Sequence, residues 1–146
     1  MLDRSMGAEN DVWPDSLPVA QVRIARQTDR LDAVVRFYVE GLGLRELLRF
    51  GKHEGYDGVL VGLPGENYHL EFVTHEDGSP GAAPTAENLL VLYFTSAAQV
   101  AEVAERLTAF GVDQVEAANP YWTRNGALTF PDPDGWRVVL MPRTIF

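Results

Sequence analysis

His69, Glu71 and His75 fall on alternate positions in and just after the stretch Tyr68–Thr74, an H-x-E-x-x-x-H spacing of metal-ligating residue types. On a strand, residues two apart lie about 6.8 Å from each other and residues six apart about 20 Å. His69 and Glu71 can therefore share an ion, but His75 cannot join them without a bend. Two ligands fall short of the three or four protein donors that a metal site needs. As acid–base groups, Glu71 and His69 are the candidates for a general base. The chain has no cysteine, so a thiolate nucleophile and a disulfide framework are both excluded. No serine or threonine stands in a strand–turn–helix elbow. Gly41-Leu42-Gly43 follows a helical pattern and lacks a third glycine, so it is no dinucleotide fingerprint. His53, between Gly51 and Gly55, reads as a solvated hairpin-tip histidine or as a residue closing the mouth of a site.

A second group of candidates lies near the C-terminus. Asn119-Pro-Tyr121-Trp122 sets two large aromatics in what reads as an irregular loop, where such residues tend to line a pocket. A hairpin follows, with strands Ala127–Phe130 and Trp136–Met141 around Pro131-Asp-Pro-Asp-Gly135. Proline presets φ, aspartate accepts local backbone hydrogen bonds and glycine supplies φ > 0 in such a turn.

The elements that must position these residues can be read in order. Residues 1–18 form a polar, acidic arm expected to be poorly ordered. Val19–Arg26 alternates as a half-buried strand, with Val22 and Ile24 on one face and Arg23 and Ala25 on the other. Asp29 reads as an N-cap, and Leu31, Val34, Val35, Tyr38 and Leu42 make a helical stripe ended by Gly41 or Gly43. Strands at Leu44–Gly51, Asp57–Leu63 and Tyr68–Thr74 complete a βαβββ order over 19–75. Residues 76–87 carry no periodicity and read as a linker. The order then restarts over 88–146. Asn88–Thr95 is a strand, and Ser96 with Gln99 caps a helix striped by Val100, Val103, Ala104 and Leu107. Val112–Ala118 is a third strand before the hairpin. An offset of 68 residues brings Ile24 onto Leu92, Gly43 onto Gly111, Tyr68 onto Trp136 and Glu71 onto Val139. The repeat is one of structure, since few letters coincide.

Bulk properties bound the function. With 146 residues, 46% of them apolar, the chain can bury a sizeable core. Its net charge of −9 argues against nucleic acid and anionic membranes as partners. No apolar run approaches the roughly 20 residues of a membrane span, and no signal-peptide pattern opens the chain. A cytoplasmic protein is expected.

Paired βαβββ modules resemble the vicinal oxygen chelate superfamily of glyoxalase I, bleomycin-resistance proteins and extradiol dioxygenases. The residues that carry the likeness are Arg36-Phe-Tyr-Val-Glu-Gly-Leu-Gly-Leu44 and Asp132-Pro-Asp-Gly135, and it covers about residues 19–142. Asn119-Pro-Tyr-Trp and Asn125-Gly resemble an uncharacterised bacterial branch. The resemblance implies an α+β fold of two βαβββ modules, forming a curved mixed sheet around a cup-shaped cavity. It also implies a divalent metal held from the first and last strand of each module. Carried onto this chain, those ligand positions fall on Arg23, Glu71, Val91 (or Leu89 or Leu90) and Val139. Of these only Glu71 is a ligand, so no cofactor is expected, with a divalent metal as the alternative.

Because the first and fourth strands are neighbours in this fold, Arg23 and Glu71 are expected to meet as a cross-strand ion pair. The expected ligand-binding residues are Arg23, Glu71, His69, Tyr93, Tyr121, Trp122, Arg137, Val91 and Val139, with Ala25, Val73, Met141, Phe50 and Tyr56 nearby. The functional expectation is a homodimer whose cup binds a small polar or aromatic molecule without a metal. A diverged metal-dependent lyase, isomerase or dioxygenase is the enzymatic alternative, and a ligand-free structural dimer is a third.

Overall fold

The computed structural model describes residues 13–146; of the arm expected over 1–18, residues 1–12 lie outside the described part. Leu17 N–H closes a turn on the Pro14 carbonyl at 2.8 Å before the first strand. Strand β1 spans Val22–Gln27, β2 Arg45–His53, β3 Tyr56–Gly62 and β4 Tyr68–His75. They form one mixed sheet in the order β1-β4-β3-β2, with β1 and β4 parallel. In the second module β5 spans Leu89–Tyr93, β6 Leu128–Pro131 and β7 Arg137–Met141, in the order β5-β7-β6. The fold is thus α+β, with open sheets of four and three strands rather than a closed barrel.

Helix α1, Leu31–Arg36, runs on into a π-helical turn over Phe37–Gly41. Leu42 N–H donates to the Phe37 carbonyl at 2.8 Å and Leu44 N–H to that of Tyr38 at 2.9 Å. Gly43, at φ +104°, makes the left-handed exit that glycine allows. Asp29 does not cap this helix. Its carboxylate accepts the Ser79 N–H instead, and Thr28 Oγ1 accepts the Arg30 N–H at 2.9 Å. Helix α2, Ala97–Ala109, starts as its sequence predicts: Ser96 Oγ accepts the Gln99 N–H at 3.2 Å, and Gln99 Oε1 accepts the Thr95 N–H at 3.0 Å.

Two expectations for the second module need correction. The strand expected over 112–118 shrinks to a single bridge, Val115 with Thr129. Arg137 Nη1 reaches the Glu116 carbonyl at 3.0 Å, so a side chain takes an acceptor that a ladder would use. The loop expected at Asn119-Pro-Tyr-Trp is a short helix, α3, Pro120–Arg124. Asn119 Oδ1 accepts the Tyr121 N–H at 3.0 Å, and Pro120 occupies the first helical position. That is an N-cap followed by proline, both favoured at a helix start.

One core runs through both modules on the helix side of the sheets. Val34, Phe37, Tyr38, Val59, Val61 and Phe72 pack with Val100, Leu107, Phe130, Val138 and Leu140. Two arginines fasten the modules at this junction. Arg106 of α2 donates from Nε to the Gly41 carbonyl at 3.1 Å and from Nη2 to that of Leu42 at 2.5 Å, a cation on the C-terminal carbonyls of the other module's helix. Arg26 of β1 reaches Asp132 with Nη2 and Asp134 with Nη1, the latter at 2.9 Å.

Candidate functional site

Because the helices share one side, each sheet keeps an open face on the other. On the four-stranded sheet, cross-strand pairing puts Arg23 opposite His69 and Ala25 opposite Glu71. The expected ion pair forms: Arg23 Nη1 lies 3.1 Å from Glu71 Oε2. Sequence reasoning missed a second bond, from Arg23 Nε to His69 Nε2 at 2.9 Å. An imidazole that accepts at Nε2 carries its proton on Nδ1. The Arg23 side chain is 47% exposed and that of Glu71 13%, while His69 is buried. Phe50 crosses the same face over Gly58, whose missing Cβ leaves room for the ring.

The open face of the three-stranded sheet is apolar. Val91 and Val139 are directly paired, and they cluster with Ala127, Met141, Leu89 and Trp122. Tyr121 meets Trp122 edge-on at 5.0 Å. Tyr93 and Arg137 take opposite ends of the β5–β7 pair on this face. The sequence-predicted residues thus fall into two groups. Arg23, His69 and Glu71 sit on one sheet, and Val91, Tyr93, Tyr121, Trp122, Arg137 and Val139 on or beside the other.

A cleft joins members of both groups. It lies along the seam between the edge strands β1 and β5 and encloses about 540 Å³. His69, Tyr68 and Gly62 line it from the first module, and Val91 and Tyr93 from the second. Ile24, Leu70, Leu90 and Leu92 give it apolar walls. A smaller hollow of about 230 Å³ continues the seam past Ile24, Leu70 and Leu90 to Arg137 and Trp136. Arg23, Glu71, Val139, Tyr121 and Trp122 line neither. Ile24, on the face of β1 that alternation sets with Val22, is 60% exposed at the seam. A separate hollow of about 360 Å³ between residues 114–116 and β6 holds none of the predicted residues.

The donors do not fit the divalent metal of the superfamily. Glu71 is tied to a guanidinium, and the His69 nitrogen beside it is occupied by the same group. The register also shifts the carry-over: Arg23 pairs a residue 46 positions on, whereas Val91 pairs one 48 on. The constant offset of 68 therefore fails by two residues at the first strand, and Arg23 matches Leu89 while Ala25 matches Val91. Parity, and so the face, is unchanged, and neither choice adds a ligand. Among the described residues no group of three His, Asp or Glu side chains could hold an ion.

The two motifs that carried the resemblance touch each other. Tyr38 OH donates to Asp132 Oδ2 at 2.8 Å, beside the Arg26 contact, while Asp132 Oδ1 accepts the N–H groups of Asp134 and Trp136 at 2.8 and 3.1 Å. Burial pushes the Asp132 carboxyl upward, against Arg26, Tyr38 and the Asp134 N–H. Burial, and then Asp132, raise the Tyr38 hydroxyl far above its ordinary value. Arg26 also lies over the rings of Phe72 and Trp136, at 5.0 and 5.2 Å. These contacts join the two modules.

Residues 22–73 match the family description "YycE-like N-terminal domain" and residues 87–142 "YycE-like C-terminal domain". The uncharacterised protein YycE of Bacillus subtilis is 48% identical over 126 residues, covering 86% of this chain and 90% of that one. A crystal structure of a YycE protein from the same organism superimposes with a TM-score of 0.85 at 44% identity, covering 91% and 96% of the two chains. More distant likenesses, of fold alone, include TnmS3, an antibiotic binding protein from Streptomyces sp. CB03234, at TM-score 0.60 and 22% identity over 84% and 93%. Glyoxalase I of Leishmania major gives 0.64 and 18% over 82% and 84%. With both modules matched in order, the chain belongs to the YycE-like family, within the vicinal oxygen chelate superfamily.

Proposed function

We propose that this protein binds a small, largely apolar or aromatic molecule in the seam cleft, without a metal. The observation that carries the reading is the cleft itself. Its volume of about 540 Å³ falls in the range of small-molecule sites, about 300–1,000 Å³. Leucine and valine walls with a few directional polar groups (His69, Tyr68, Tyr93, Arg106) follow the usual composition of such sites. Sequestration needs affinity and no chemistry, so the missing metal ligands do not count against it. The likeness in fold to an antibiotic binding protein agrees with this reading. The same reading takes the protein as a cytoplasmic homodimer, with the apolar open face of the second sheet as the surface a partner copy would cover.

The test is a thermal-shift screen of small aromatic and polar compounds against the wild type and Ile24→Trp, which fills the seam from its exposed edge. A ligand at a hundred times its Kd stabilises a fold by about 2.7 kcal/mol, a rise of several degrees. Compounds that stabilise the wild type and not Ile24→Trp support the cleft. Hits that bind both alike would place the site elsewhere, and a screen without hits would count against binding. Melts after chelation and with Zn²⁺, Ni²⁺, Mn²⁺ or Fe²⁺ complete it; a large rise with one ion would overturn the metal-free reading.

A further inference from the structure

The seam cleft carries a cation and no acid to match it. Its main walls lie on the helix side of the sheets. Ile24 pairs with Leu70, and Tyr68 stands two residues before Leu70 on the same face of β4. Leu90 and Leu92 close the cleft from β5, paired with the core residues Val138 and Leu140. On that same side the exit of the first helix, Leu42–Leu44, reaches the cleft, and α2 brings Val103 and Arg106 to it. Arg106 is the one arginine in the lining, and among the described residues no lysine, aspartate or glutamate joins it there.

The Arg106 guanidinium has one edge in use. Nε and Nη2 donate to the Gly41 and Leu42 carbonyls, so that edge rests on the C-terminal end of the first helix. Nη1 and the second N–H of Nη2 make up the other edge, and no hydrogen bond among the described residues takes them. Gly43 leaves the group uncovered: a Cβ there would lie 2.7 Å from Nη2 and 3.3 Å from Cζ. No carboxylate among the described residues forms an ion pair with Arg106, Glu102 and Glu105 of its own helix included. A helix C-terminus offsets only about half an elementary charge, so positive charge is left over at the cleft. The residue is exposed, and the free edge is open to a ligand.

A molecule that fills the cleft takes water from this cation. A neutral one leaves the charge uncompensated, whereas an anionic one replaces the lost water with a charge-assisted pair. The free edge is a planar fork that matches the two oxygens of a carboxylate, and a guanidinium already pinned on its other edge loses little freedom on gripping it. We infer that Arg106 selects the ligand of the cleft, which carries an apolar body along the leucine walls and one carboxylate on this fork. The inference rests on the cleft being a binding site and names the group its ligand must carry.

The experiment compares acids with their neutral amides, 4-phenylbutyrate against 4-phenylbutyramide and octanoate against octanamide, by isothermal titration on the full chain. Wild type should bind each acid about tenfold to a hundredfold more tightly than its amide, the range of a charge-assisted hydrogen-bonded pair. Arg106→Gln, which keeps an N–H donor for the helix carbonyls, should abolish that preference and leave the affinity for the amides unchanged. A role in holding the cleft together would instead weaken acid and amide alike. Arg106→Lys keeps the charge and loses the fork, so the preference should fall severalfold; this variant carries the test if Arg106→Gln does not fold. Ile24→Trp should weaken all four probes. Equal binding of acid and amide by the wild type, a preference that survives Arg106→Gln, or an undiminished one in Arg106→Lys would overturn the forked carboxylate and leave the cleft. Acid binding untouched by Ile24→Trp would put the carboxylate outside the cleft and overturn it too. Failure of all four probes to bind at millimolar concentration would sink the cleft reading and the inference with it.

Discussion

Gly43 and Gly111, 68 residues apart, show at single-residue scale what the repeat preserves. Both end the helix of their module at positive φ, +104° and +100°. Their surroundings differ. A Cβ on Gly111 meets nothing within 4 Å, whereas one on Gly43 would sit 2.7 Å from Arg106 Nη2. Gly111→Ala should therefore cost only the backbone strain, about 1 kcal/mol. Gly43→Ala should cost about 1–2 kcal/mol more, because Arg106 must leave the Gly41 and Leu42 carbonyls. Urea denaturation of both variants checks this, and equal losses would mean that Arg106 does not tie the modules. The site was legible to a similar depth. Strand parity placed Arg23, His69 and Glu71 on one face, because alternation is local. The Arg23–His69 bond was not legible, because it depends on which residues the parallel pairing sets opposite each other.

At the scale of elements, the stretch 76–87 shows where composition misleads. Glycine and proline there mark the absence of regular structure, and the sequence reads as a linker. The structure pins it to both modules. Gln27 Nε2 donates to the Pro80 carbonyl at 2.8 Å, Trp136 Nε1 to that of Gly81 at 2.6 Å, and Ala83 N–H to that of Asp134 at 3.0 Å. Gly81 packs so closely that an added Cβ would run into the Gln27 carbonyl oxygen, a backbone atom that cannot swing aside. Gly81→Ala should destabilise by about 1–3 kcal/mol and lower the melting temperature by several degrees, whereas a loose tether would leave it unchanged. The two misread segments of the second module fail for related reasons. Val112–Ala118 has the length of a strand, but its Glu116 carbonyl is answered by the Arg137 side chain and only Val115 makes a bridge. Asn119-Pro120 carries a helix start signal, and the aromatics after it drew the reading toward a loop.

At the scale of the whole molecule, the two-module architecture was legible because hydrophobic periodicity and helix ends repeat along the chain. How the modules meet was not, since Tyr38 and Asp132 stand 94 residues apart and each reads locally as a helix end and a turn. Their contact gives the fold a pH dependence of definite sign. Burial and the neighbouring carboxylate raise the Tyr38 hydroxyl above its ordinary value, which is about 10. The unfolded chain therefore releases this proton at a pH where the native protein still holds it. The stabilisation is complete below about pH 10 and is lost as pH rises further, at up to about 1.4 kcal/mol per unit. Few other groups obscure this range, since Lys52 is the single lysine and tyrosines number five. Tyr38→Phe should cost about 1.5–3 kcal/mol at pH 7, for a hydrogen bond to a buried carboxylate. It should also flatten the alkaline slope, so that the two proteins converge in stability toward pH 11. Urea melts at pH 7, 9, 10 and 11 would show this. Parallel curves across that range would mean that Tyr38 is not held protonated by the junction.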